Sequence, residues 1–224
     1  MRSNTRTIFR DARLRFSQSM RIAIAGCAVL VSNCVSPKDQ YIDPLQAYQM
    51  ASASNPNDHI KGLDALAFGA NSDSYSALHY KYNLTSVASK SQYLDSRLGA
   101  VERISDPEQL HSIAVLSNYL DSAVAAFEKL GRLVKEGKAD EWLLANTTNS
   151  RHMDIRLRAI TELDERGLLR AYRGNGYPLV RRIIVEKLAS MVRDLKNPDA
   201  ITTVALYATD AHTRDVASNM LARD

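Results

Sequence analysis

The stretch Arg156-Leu157-Arg158-Ala159-Ile160-Thr161-Glu162-Leu163 decides the fold, because its pattern recurs along the chain. Arg97 with Ala100 and Ile104, Arg181 with Ile184 and Leu188, and Arg214 with Ala217 and Leu221 repeat its spacing. In a further copy Ala123 stands in the Arg position, ahead of Ala126 and Leu130. Positions i, i+3 and i+7 share one face of a helix. Each segment therefore predicts a packed helix, with a small or branched residue at the closest approach and a larger one supplying buried area. A shorter apolar element precedes each, starting at Leu84, Leu110, Leu143, Leu168 and Ile201. The offset from start to central residue is 16 every time: 84→100, 110→126, 143→159, 168→184 and 201→217. One offset predicts one hairpin of short helix, turn and longer helix, used five times. Successive starts lie 26, 33, 25 and 33 residues apart, so short and long units alternate.

The residues between these elements support the same reading. Asp106-Pro107 predicts a capped start with Pro at the first helical position, and Gln109 stands where a capping box would place it. Asn197-Pro198 opens the last unit likewise. Asp95, Asp121 and Asp154 each precede the Arg position by two residues and are expected to cap the longer helices. Gly174-Asn175-Gly176-Tyr177-Pro178 falls where a turn is required, and the Lys- and Glu-bearing stretch 131–140 is expected to prolong a helix. No run alternates with period two for long enough to predict a strand. Residues 43–82, with Ile60, Leu63, Leu66, Phe68 and Leu78, read as helical but fit the repeat badly. An irregular terminal cap is expected of stacked repeats.

Composition places the chain among ordinary globular proteins. It has 224 residues, 45% hydrophobic and 24% charged, with nine Gly, six Pro and two Cys. That excludes collagen-like, low-complexity and disulfide-scaffold classes. The net charge of +4 is uneven. Residues 1–21 hold six Arg and one Asp, residues 22–34 hold no charge, and the remainder is close to neutral. Met20-Arg21, a run of apolar residues over 22–31, then Ser32-Asn33-Cys34 has the layout of a secretory signal, too short to span a bilayer. Val31-Ser32-Asn33-Cys34 resembles a bacterial lipobox, with Asn33 where Gly or Ala is usual. The resemblance implies lipidation of Cys34, which would become the mature N-terminus. Ile24-Ala25-Gly26-Cys27 matches the box letter by letter but has only about two apolar residues ahead of it, so Cys34 is preferred. Residues 1–34 are read as leader, 35–42 as linker, 43–82 as helical cap and 83–224 as repeat domain. An organelle transit peptide over residues 1–21, mitochondrial for instance, is the competing address.

The Arg-x-x-Ala-x-x-x-Leu pattern on the second helix of a hairpin, with an Asp ahead of it, resembles HEAT-type repeats, including the shorter bacterial, lyase-like form. The resemblance covers roughly residues 83–224. It implies an all-α protein: a right-handed α-α superhelix, or solenoid, of about five hairpins plus the irregular N-terminal cap. It also implies that Asp95, Arg97, Asp154, Arg156, Arg181 and Arg214 are structural, pairing between neighbouring hairpins. The ladder breaks at Ala123, Leu179 and His212, where one member of a pair is missing.

Signs of chemistry are sparse. His59, His79, His111, His152 and His212 are scattered without convergent ligand spacing, so no metal and no cofactor is expected. Gly174-Asn175-Gly176 lacks the strand and the Lys-Ser/Thr of a phosphate loop. Asp164-Glu165 and Asp140-Glu141 read as helix starts rather than a glycosidase pair, and no Ser sits in a nucleophile elbow. Residues 151–193 hold ten Lys/Arg against five acids. The cations there, with Arg166, Arg170, Arg173 and Arg182 singled out, are candidates for an acidic partner, anionic headgroups or, less favoured, nucleic acid. Tyr75, Tyr80, Tyr82, Tyr93 and Tyr119 give the first half an aromatic bias, and Tyr93 and Tyr119 are taken as interface candidates. The leading expectation is a non-enzymatic, lipid-anchored scaffold or adaptor on the periplasmic side of the outer membrane, binding another envelope protein. The alternative is a HEAT-like lyase or DNA-repair glycosylase working through the basic 151–193 region.

Overall fold

Pro107 and Pro198 each open a helix behind a side-chain cap, as their sequence context predicts. Asp106 accepts from the amide of Glu108 at 2.9 Å, and Asn197 from that of Asp199 at 2.9 Å. The computed structural model describes residues 42–72 and 77–222. Among the described residues the protein is all-helical, with twelve α-helices and no strand. They are α1 (Pro44–Ala51), α2 (Pro56–Ala70), α3 (Ala77–Lys90), α4 (Leu94–Arg103), α5 (Pro107–Leu116) and α6 (Leu120–Lys135). There follow α7 (Glu141–Asn146), α8 (Met153–Glu162), α9 (Glu165–Gly174), α10 (Pro178–Ser190), α11 (Pro198–Tyr207) and α12 (Ala211–Leu221). Short 3-10 turns follow α7 and α10. The leader, with Cys27 and Cys34, and Tyr75 lie outside the described residues.

The repeated positions are the ones that lose water. Leu84, Leu110, Leu143, Leu168 and Ile201 are buried on α3, α5, α7, α9 and α11; Ala100, Ala126, Ala159, Ile184 and Ala217 are buried on α4, α6, α8, α10 and α12. Helices α3, α5, α7, α9 and α11 pack each against the next, and α4, α6, α8 and α10 do the same. Long and short units differ in the second helix: α6 has 16 residues and α10 has 13, against 10 in α4 and in α8. The stretch 131–140 prolongs α6 only as far as Lys135. Gly137, at φ +70°, then turns the chain while the amides of Gly137 and Lys138 close onto the carbonyls of Val134 and Leu133 at 3.0 and 2.8 Å. At the other end Gly62 brings α1 and α2 into backbone contact, since a Cβ there would lie 2.3 Å from the amide nitrogen of Ala51. Helix α3 runs unbroken through positions 82 and 83, where the sequence reading divides cap from repeat domain.

Two capping expectations are corrected. Asp95, Asp121 and Asp154 sit in the first turn, one residue inside the helix, and the cap positions belong to Tyr93, Tyr119 and His152, which use no side chain. The missing acceptor comes from two residues earlier. The hydroxyls of Ser91, Ser117 and Ser150 accept from the amides of Tyr93, Tyr119 and His152 at 3.3, 3.1 and 3.2 Å, and the side-chain oxygen of Asn175 accepts from Tyr177 at 2.8 Å. Gln109 closes no capping box. It donates across to α3, to the carbonyl of Lys81 at 2.8 Å and the hydroxyl of Thr85 at 2.7 Å.

Candidate functional site

The joints between successive hairpins start from one turn, Ser/Asn-x-Tyr/His, followed four residues on by Arg or Ala. Arg97 is the most complete case. Only 5% exposed, its guanidinium donates to the Ser91 carbonyl at 3.0 Å, grips both oxygens of Asp121 and lies 3.8 Å over the Tyr119 ring. Burial pushes the Asp121 carboxyl up, but bonds from Arg97 and Ser122 outweigh it and hold the group below the usual carboxylate range. Arg156 bonds the Ser150 carbonyl and stacks 3.6 Å over Tyr177, with Leu179 where an Asp would answer it. Arg214 bonds the Ala208 and Thr209 carbonyls at 2.8 and 2.9 Å. Arg181, Asp95 and Asp154 are exposed and make no such bond among the described residues. Tyr93 and Tyr119, the interface candidates, are half-buried, Tyr93 against His59 at 5.0 Å and Tyr119 under Arg97.

The basic 151–193 region is partly absorbed by the fold. Lys187 donates to the carbonyls of Thr161 and Leu163 at 3.1 Å, satisfying the end of α8. Arg158 pairs with Glu128 at 3.3 Å and Arg173 with Asp199 at 2.6 Å, while Arg151 bonds the side chain of Asn118. Arg166 and Arg170 remain exposed one turn apart on α9; Arg182 is exposed on α10. The sequence cluster is thus spread over α8, α9 and α10.

The acidic doublets contribute one residue each to a pair that sequence reading did not find. Burial, then the nearby Asp164 carboxylate, push the Glu141 carboxyl up, while Asp164 caps α9 through the amide of Gly167 at 2.8 Å. The His111 imidazole is lowered by burial, which Glu108 opposes; its Nε2 is buried without a hydrogen-bond partner among the described residues, and its ring lies 6.2 Å from that of Trp142. Among the described residues no three His, Cys, Asp or Glu side chains are grouped to hold a metal ion, and no helix is long and apolar enough to cross a membrane.

A second feature that sequence reading missed is a set of exposed leucines on the second helices of the hairpins. Leu94, Leu120 and Leu157 are exposed on α4, α6 and α8, which pack one against the next; Leu179 is exposed on α10. Leu94 and Leu120 occupy the same position, six residues ahead of the central Ala, and half-exposed Met153 is their counterpart on α8. The signal was available as the apolar residue after each Tyr or His cap. Helical periodicity marks what is buried, and it gives no notice of an apolar residue repeated on the outside. Comparison with protein-family models, with curated proteins and with solved structures finds no match for this chain.

Proposed function

We propose that this protein is a lipid-anchored scaffold or adaptor of the bacterial envelope, without a reaction of its own, which binds another envelope protein through its helical-repeat surface. In this reading the hairpins form a right-handed solenoid of HEAT type, Cys34 carries the lipid, and the molecule sits on the periplasmic face of the outer membrane. The order in which each helix from α1 to α9 packs on the helix two places further supports the solenoid reading. The observation that carries the binding role is the pair Leu94 and Leu120, exposed at equivalent positions of the neighbouring helices α4 and α6, with Leu157 exposed on α8 beside them in packing order. Large apolar side chains repeated at the water-facing side of neighbouring helices cost solubility and add nothing to the core, which is the signature of an interaction surface.

Labelling with a palmitate analogue, fractionation and co-purification test both halves of the proposal. Wild type is expected to be labelled, to sediment with membranes and to bring a reproducible partner. Cys34→Ser should lose label and membrane together, while Leu120→Glu with Leu157→Glu should lose the partner and keep the label. A Cys34→Ser variant that still sediments, or a wild type found unlabelled in the cytoplasm, overturns it. The second reading, a HEAT-like lyase or DNA-repair glycosylase, draws on exposed Arg166 and Arg170. It requires retention on nucleic acid at low salt that charge reversal at Arg170 and Arg173 abolishes.

A further inference from the structure

We propose that the face of α3 bearing Leu78 and Tyr82 lies in the membrane surface, so that the anchored protein is held in one orientation rather than swinging on its tether. The inference rests on the lipid-anchor reading of Cys34. Leu78 and Tyr82, one helical turn apart, are 71% and 68% exposed. Phe68, 77% exposed, stands just before the connection from α2 to α3, on whose far side Leu78 stands. Leu45 is exposed at the start of α1, next to Pro44, whose carbonyl accepts from the Asn83 side chain of α3 at 2.9 Å. Helix α3 contains no Asp or Glu, and its exposed positions include His79 and Lys90. An acid-free helix with wet leucine and tyrosine suits the boundary between acyl chains and anionic headgroups, where Tyr keeps its ring in oil and its hydroxyl in water.

The tether singles out a lipid surface as the occupant. The described residues begin at Ile42, and its carbonyl accepts from the Tyr80 hydroxyl of α3 at 2.8 Å. The chain therefore joins the domain on the helix that carries the apolar face. Seven residues, 35–41, separate Ile42 from Cys34, and the span from Cys34 to Ile42 is at most about 29 Å when fully extended. An acylated Cys34 keeps α3 within that distance of the bilayer. A second, apolar contact converts such a tether into a fixed attachment.

The test uses full-length lipidated protein in phosphatidylethanolamine–phosphatidylglycerol vesicles containing brominated acyl chains, on a Trp142→Phe background, with palmitate labelling of the same sample. Tyr82→Trp is the probe, and Tyr207→Trp, at an exposed position ending α11, is the control; far-UV circular dichroism verifies the fold of each. Trp at 82 is expected to shift to the blue and lose most of its emission, and Trp at 207 to stay water-like. Labelled, vesicle-bound protein in which neither probe is quenched, or both are equally, overturns the inference and leaves the anchor standing. Protein that is unlabelled and free of vesicles removes the anchor and the inference with it.

Discussion

The joint between α4 and α6 and the joint between α8 and α10 use the same register positions with different chemistry. In the first, Arg97 meets a carboxylate, a ring and a carbonyl; in the second, Arg156 has the ring and the carbonyl, and Leu179 replaces the acid. The joint between them, from α6 to α8, has Ala123 in the register of Arg97 and Arg156, and its guanidinium comes instead from exposed Arg158, paired with Glu128 at 3.3 Å. Yet the buried residues at all three are equivalent and equally dry. Stacking is therefore set by the apolar positions, while the polar positions tune individual joints. An ion pair repays its desolvation only where geometry and further hydrogen bonds are good, so a joint can lose it and survive on packing.

The comparison can be broken most decisively in the core. Leu130→Ala and Leu188→Ala remove fully buried side chains from equivalent positions of α6 and α10, and each is expected to cost about 2–5 kcal/mol in urea denaturation. Similar losses support a common packing unit; a large disparity would mean that the joints dominate. Next, Arg97→Ala leaves Asp121 without its main partner and should cost about 1–3 kcal/mol, against about 0.5–1.5 kcal/mol for Arg156→Ala, by the same measurement. Acid sharpens the contrast. The Asp121 carboxyl is lowered in the folded chain, so its stabilisation is present above about pH 4 and is lost as pH falls through the lowered value. Denaturation midpoints of Asp121→Asn should therefore fall less steeply below pH 4 than those of wild type. Smallest of all, Leu179→Asp offers Arg156 the missing acid at an exposed site, and a gain of about 0–1 kcal/mol is expected.

The dry face of this molecule was legible because a constant offset of 16 can be counted without knowing the fold. The polar details were less so. Asp95, Asp121 and Asp154 resemble caps in sequence, but Ser91, Ser117 and Ser150 satisfy the helix starts two residues earlier, and the acids fall inside the first turn where they favour the helix dipole. Gln109 offered a local partner and a distant one, and nothing in the local pattern reveals that α3 passes within reach. The charge excess of 151–193 overstated the free cations, because Lys187 and Arg156 spend theirs on backbone carbonyls. Glu141 and Asp164 are brought together only by the packing of α7 on α9.

The Gly137 turn has a practical side. Glu136, Gly137 and Lys138 are exposed, and the turn closes on its own carbonyls. A peptide tag, a protease site or new chain termini introduced there would fall among exposed residues, at the cost of the surface pair of Lys138 with Glu136. The seam would let the two portions of the molecule be produced separately and their reassociation measured directly.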